Sequence, residues 1–312
     1  GIGKNNAGAI FVSGITYGGT TLTDRNSITT RIGLISNGGV TQGATGINVQ
    51  DLGIDAKGTV LLNAVNNITN LAAKTLGQNF TFNNGQGFTV TQMSGGTTNS
   101  TYNLNGIDTC STPGGCSNAA STGAVSLTAG GPLTIDTGGI RAGGDITLVA
   151  SGNIVQKGAL SAGLNENLIL ATTGGNYINT VGSGALNVSG TGRWLVYSTN
   201  PTNNTLGGLK PSFEYYGCQY ATGCATASIP TTANGLLYSS IAPDSTSISN
   251  ESINATVTEN TTVTDFTNKT TAGVLGTTPQ LAQLLANEPG SSAGGFSGSA
   301  EEKDKKPQLC TK

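Results

Sequence analysis

Residues 146–170 read ITLVASGNIVQKGALSAGLNENLIL, in which Ile146-Thr147-Leu148-Val149, Ile154-Val155 and Leu168-Ile169-Leu170 are separated by Gly, Asn and Ser. The texture extends in both directions: Val60-Leu61-Leu62 is followed by Phe80-Thr81-Phe82, and Leu133-Thr134-Ile135 precedes the quoted stretch. Leu186-Asn187-Val188 and Trp194-Leu195-Val196 continue it. The major runs recur at steps on the order of 20 residues with lesser strands between them, as in a solenoid whose coil carries two or three strands. The spacing predicts an all-β chain, a stacked parallel β-solenoid in which each coil buries its inward residues by lying on its neighbours. Gly and Asn punctuate the runs because corners need positive φ, which Gly adopts freely and Asn tolerates. The competing architecture is a β-sandwich of many short strands, which spaces strands at roughly 8–12 residues and joins them by hairpins.

Composition fits an extracellular solenoid. Only 10% of the residues are charged and 5% aromatic, whereas Gly supplies 48 of 312. Low charge argues against ordinary disorder, which combines low hydrophobicity with high net charge. The surface must therefore be solvated mainly by Thr, Ser and Asn. A net charge of −2 without a basic stripe gives no footprint for nucleic acid or for an anionic membrane surface. No apolar run approaches the length of a membrane-spanning helix. The opening residues lack the apolar core of a signal peptide, and strand texture is under way by Ile10-Phe11-Val12. The expectation is that the chain begins inside a longer one.

The five cysteines divide unevenly. Cys110 and Cys116 flank Ser-Thr-Pro-Gly-Gly, and Cys218 and Cys224 flank Gln-Tyr-Ala-Thr-Gly. Both loops contain Gly and can turn tightly, so an oxidising compartment favours two local disulfides. Zinc would need four converging ligands, but the pairs are far apart in sequence and His is absent, so neither metal nor cofactor is expected. Cys310 stands alone in a charged tail, either an unpaired thiol or an anchoring cysteine.

Gly192-Arg193-Trp194-Leu195-Val196-Tyr197-Ser198 holds the only Trp. Leu206-Gly207-Gly208-Leu209, Phe213-Glu214-Tyr215-Tyr216 and Asn234-Gly235-Leu236-Leu237-Tyr238-Ser239 follow closely. Here the chain resembles the filamentous haemagglutinin-like exoproteins of two-partner secretion, whose C-terminal parts often carry a Gly-Arg-Trp-Leu-Val-Tyr-Ser segment, then Gly-Gly-Leu, then Asn-Gly-Leu-Leu-Tyr. The resemblance takes in most of residues 30–240 and is most specific from Gly192 to Tyr238. It implies the C-terminal part of a large secreted or surface adhesin, folded as a right-handed parallel β-helix. Export would use a dedicated outer-membrane transporter, leaving the protein extracellular at the bacterial cell surface. Some members are held at the transporter by a loop between two C-terminal cysteines; this chain has one, Cys310, close to its end, and departs from that pattern.

The residues themselves suggest a domain plan. Residues 1–212 read as β-helix repeats, with a disulfide-loop insertion near 95–122. Residues 213–243 read as an aromatic, disulfide-containing cap, because the last coil of a solenoid needs an atypical closing sequence to protect its edges. Trp194, Tyr197, Phe213, Tyr215, Tyr216 and Tyr238 are the cap candidates, stapled by Cys218 and Cys224; an aromatic sugar-binding platform is the alternative. Residues 244–288 suggest polar strands and a short helix with Thr278 as N-cap and Pro279 at its first position, and 289–312 a flexible tail.

Polysaccharide-cleaving enzymes on β-helices need clustered carboxylates, often with Arg, Lys or calcium. Asp136, Arg141 and Asp145 are near one another in sequence, but with no His and no nucleophile arrangement they read as corner residues, and no enzyme is expected. Sequons occur at Asn67, Asn79, Asn99, Asn187 and Asn203, then cluster at Asn250, Asn254, Asn260 and Asn268. Composition alone accounts for the number, and the cluster marks the candidate glycosylation region. Two functions follow: an adhesin stalk, cap and surface anchor that meets a glycan or protein receptor, or a self-associating subunit of a filament or biofilm matrix.

Overall fold

The computed structural model describes residues 8–12, 16–17, 20–21, 31–97, 100–110, 116, 122–224 and 228–241. Within them the chain is a parallel β-solenoid of about nine turns. One face is a ten-stranded parallel sheet. Its order is Ile10–Val12, Val40–Gln42, Val60–Asn66, Phe80–Asn84, Val125–Ala129, Ile146–Ala150, Leu168–Thr172, Trp194–Ser198, Gly235–Tyr238 and Phe213–Tyr216. The runs that predicted the fold lie in register: Val60 on Phe80, Ile146 on Leu168, and Leu168 on Trp194. Leu186–Ser189 belongs to another face, where Leu186 pairs with Leu160.

The opposite wall starts as one sheet and divides. Arg31–Ser36, Asp51–Ala56 and Asn70–Lys74 stack in register. Above them Asn70 and Leu71 pair with Thr89 and Val90, while Ala73 and Lys74 pair with Ile107 and Asp108. From there Leu133–Ile135, Ile154–Gln156 and Tyr177–Asn179 continue one row, and Ile140–Arg141, Leu160–Leu164 and Leu186–Ser189 the other. Two-faced coils thus become three-faced ones. The break is made by the chain between Val90 and Ile107, which leaves the wall as an antiparallel hairpin, Gln92–Thr97 with Ser100–Asn105. The chain is back on the wall at Ile107–Asp108, before Cys110, within the region 95–122 expected to hold one insertion. Strand pairing also runs past residue 212, because Phe213–Tyr216 and Gly235–Tyr238 are both strands of the first face.

Period-two alternation drives the packing, since successive side chains of a strand point to opposite faces. Val125, Leu127 and Ala129 are buried, as are Ile146, Leu148 and Ala150, and these inward rows form one continuous apolar core. Polar residues enter that core at corners and are satisfied there. Asn66 and Asn84 are buried in register; the Oδ1 of Asn66 accepts from Ile47 N–H at 2.7 Å and that of Asn84 from Ile68 N–H at 2.9 Å. Each side chain completes the backbone bonding of a turn too tight to bond itself, the condition under which a buried amide is tolerated. The only helical element among the described residues is the 3-10 turn Pro201–Asn203, and no helix there is long and apolar enough to cross a membrane. The polar strands, helix and tail expected over 244–312 lie outside the described residues, as do Cys310, Asn250, Asn254, Asn260 and Asn268.

The hairpin packs against the outside of the wall it interrupts. Outward positions of the first three wall strands form three rows: Arg31, Asp51 and Asn70; Gly33, Gly53 and Ala72; Ile35, Asp55 and Lys74. The middle row has almost no side chain, and the Tyr102 ring lies in that slot. A methyl added at Gly33 would sit 2.3 Å from Tyr102 Cε1, and one at Gly53 2.8 Å from Cε2. Met93, Tyr102 and Leu104 pack with Ala72 as a small second core. Arg31 fixes the arrangement, donating from Nη1 to Ser94 O at 2.9 Å while its Nη2 pairs with Asp51 at 3.0 Å.

Candidate functional site

Three of the four segments that carry the resemblance are separated in sequence and adjacent in space. Trp194–Ser198 pairs with Gly235–Tyr238, which pairs in turn with Phe213–Tyr216, all parallel. The later strand, Gly235–Tyr238, is inserted between the two earlier ones. Asn234 locks this order: its Oδ1 accepts from Trp194 N–H at 2.9 Å and its carbonyl from Ser212 N–H at 2.8 Å. The Phe213 ring covers Gly235; a Cβ there would lie 2.0 Å from Phe213 Cζ, so any side chain would displace the ring. In the remaining segment Gly207 and Gly208 have φ of +60° and +90°, values that L side chains rarely adopt. That bend returns the chain so that Leu209 is buried and Leu206 packs against the end of the core.

The six aromatic cap candidates separate into two groups because alternate residues of a strand face opposite ways. Trp194 and Tyr238 point into the solenoid and belong to the main core, where Tyr216 lies 5.1 Å from Tyr238 between ring centroids. Tyr197, Phe213 and Tyr215 point outward and join Leu195, Leu237 and Tyr220 in a separate cluster. Tyr220 lies on the disulfide hairpin, Cys218–Gln219 with Gly223–Cys224, and meets Tyr197 edge-on at 5.5 Å. The hairpin therefore covers the outer flank of the last described coils. Burial raises the Tyr197 hydroxyl pKa and pushes that of Tyr238 up to about 12, the latter aided by the Glu214 charge. Each ring packs against neighbouring side chains, and Phe213, Tyr215 and Tyr216 remain half-buried.

Both sequence-predicted disulfides are present, Cys110 with Cys116 and Cys218 with Cys224, at Cα separations of 5.1 and 4.0 Å. Asp108, Cys110 and Cys116 bring potential metal-ligating atoms within 4.8 Å, the one such grouping among the described residues. The sulfurs are consumed by their mutual bond. The two oxygens of Asp108 accept from Cys110 N–H at 2.9 Å and from Arg141 at 3.4 Å, so the grouping offers no open ligand set.

The candidate residues Asp136, Arg141 and Asp145 take separate partners. Asp136 accepts from the Thr91 hydroxyl, Arg141 pairs with Asp108, and Asp145 accepts from Asn167 N–H at 2.6 Å. Asp145 does adjoin Glu166, whose pKa is raised first by burial and then by the hydrogen bond and charge of Asp145. This juxtaposition was invisible in sequence because it depends on the register between successive coils. Several sequon asparagines also serve the stack: Asn67 donates to Asn48, Asn79 accepts from Ala124 N–H, and Asn187 donates to Gly184 O.

Comparison with protein-family models, with curated proteins and with solved structures finds no match to this chain.

Proposed function

We propose that this chain is the stalk and closing cap of a secreted or surface-attached bacterial adhesin of the filamentous haemagglutinin type, delivered by an outer-membrane transporter of the two-partner class. The observation that carries the reading is the joining of segments 192–198, 213–216 and 234–239 into one run of adjacent parallel strands. Most of the residues on which the resemblance rests lie side by side, with Asn234 bonded to Trp194 and Gly235 beneath the Phe213 ring. Two local disulfides suit an oxidising, extracellular setting. A solenoid grows by adding coils that contact only their neighbours, which suits a stalk that holds a binding region away from an envelope.

The test is to express the protein with its own secretion partner and compare adherence of the bacteria to host cells and immobilised glycans with that of bacteria carrying the partner alone. A gain in adherence supports the reading. Surface-displayed protein that gives no gain, and instead forms filaments as its concentration rises, overturns it in favour of a matrix subunit. A Cys310→Ser variant in the same strains tests the anchor: released protein makes the cysteine a tether, and unchanged retention removes it from that role.

A further inference from the structure

We infer that Glu214 is a built-in stop that prevents the last strand of the solenoid from pairing with a second copy of this chain. Phe213–Tyr216 is the end strand of the ten-stranded sheet and is paired on one side only among the described strands. A parallel edge with unpaired N–H and C=O groups is a template for another strand.

The inward row that reaches this edge is apolar for seven consecutive strands, Leu62, Phe82, Leu127, Leu148, Leu170, Val196 and Leu236, each in register with the next. The eighth position, in register with Leu236, is Glu214. Its side chain is exposed, and among the described residues it has no ion-pair partner. At the end of the stack the carboxylate reaches water. A further coil laid on this edge would cover it and trap an unpaired charge against Leu236 and Tyr238, which is strongly unfavourable in a low-dielectric interior.

The strand order points the same way. Had the strands followed in sequence order, Gly235–Tyr238 would be outermost, and it carries only buried residues with Leu236 inward. Inserting that strand beneath Phe213–Tyr216 places the one charged inward position at the exposed edge. The inference is independent of the adhesin reading, because it concerns what the edge rejects.

The experiment compares the native chain with Glu214→Leu and Glu214→Gln by sedimentation velocity and by hydrogen exchange of residues 213–216 over a hundredfold range of protein concentration. The native chain should show no concentration-dependent protection of these amides. Glu214→Leu should gain at least tenfold protection there at the high end, together with dimers or larger species. Glu214→Gln, which keeps the shape and loses the charge, should move in the same direction and serves if the Leu variant misfolds. Native protein that protects these amides as concentration rises overturns the inference, as does a folded, charge-free variant whose edge remains unprotected.

Discussion

Replacing Gly33 by Ala tests whether the hairpin is held by the side-chain-free slot in the wall. The new methyl would stand 2.3 Å from Tyr102 Cε1, too close for any relaxed contact, and the ring is hemmed in on other sides by Gly53, Gly95 and Met93. Overpacking of this kind costs about 1–3 kcal/mol. In the native background the expected loss is about 2 kcal/mol, offset only slightly by the better strand propensity of Ala over Gly, roughly 0.5–1 kcal/mol. Tyr102→Ala empties the slot at a cost of about 3 kcal/mol, near the lower end for a large buried side chain, because the ring packs on one flank rather than inside the main core. In that emptied background Gly33→Ala meets no ring and should cost nothing or stabilise slightly. The double-mutant cycle therefore closes with a coupling of about 2 kcal/mol, well above the residual expected for independent sites. Urea unfolding of the four proteins gives the cycle, and hydrogen exchange of Arg31–Ser36 reports whether the covered strands open locally. Equal cost of Gly33→Ala with and without Tyr102 would refute the slot.

Asn84→Ala should destabilise by about 2–4 kcal/mol in thermal or urea unfolding, because it strands the N–H of Ile68 and weakens the bonding of its carbonyl in a buried corner; a cost below 0.5 kcal/mol would mean that the corner rearranges. Replacing Cys218 and Cys224 by Ser should cost about 2 kcal/mol for so short a loop and raise exchange around Tyr197 and Leu237, whose cover is then untethered. Unchanged exchange there would show that aromatic packing alone holds the flap. Alkaline titration provides a pH test. Tyr238 keeps its proton up to about 12, while an unfolded tyrosine loses it near pH 10. Between those values the folded state binds more protons, so stability should be level below pH 10 and fall as pH rises towards 12. A Tyr238→Phe variant should show a shallower fall, measured by chemical unfolding at fixed pH; an identical slope would assign the loss to other groups, such as Tyr177, whose pKa burial also raises.

The sequence by itself determined the coil. Alternation in Val125–Ala129 and Ile146–Ala150 needs only local geometry to put one side of each strand inward, and no such strand buries that side without neighbours above and below. For an oxidising compartment it also pointed to the two disulfides, since each cysteine pair closes a short Gly-containing loop. The aromatic segment stood out in the sequence, yet the allocation of Trp194 and Tyr238 to the interior and of Tyr197 and Tyr215 to the flank was not legible there. That allocation depends on strand phase, which follows from the register with Leu168–Thr172 and not from composition. Three things were decided by tertiary structure alone: the hairpin lying in the Gly33 and Gly53 slot, the meeting of Asp145 with Glu166, and the insertion of Gly235–Tyr238 beneath Phe213–Tyr216. In each, the partners come from different coils. Which residues meet across coils is set by how many residues every intervening loop consumes before its strand rejoins the stack. Local propensity fixes the strands; only the summed path of the chain fixes which strand lies on which.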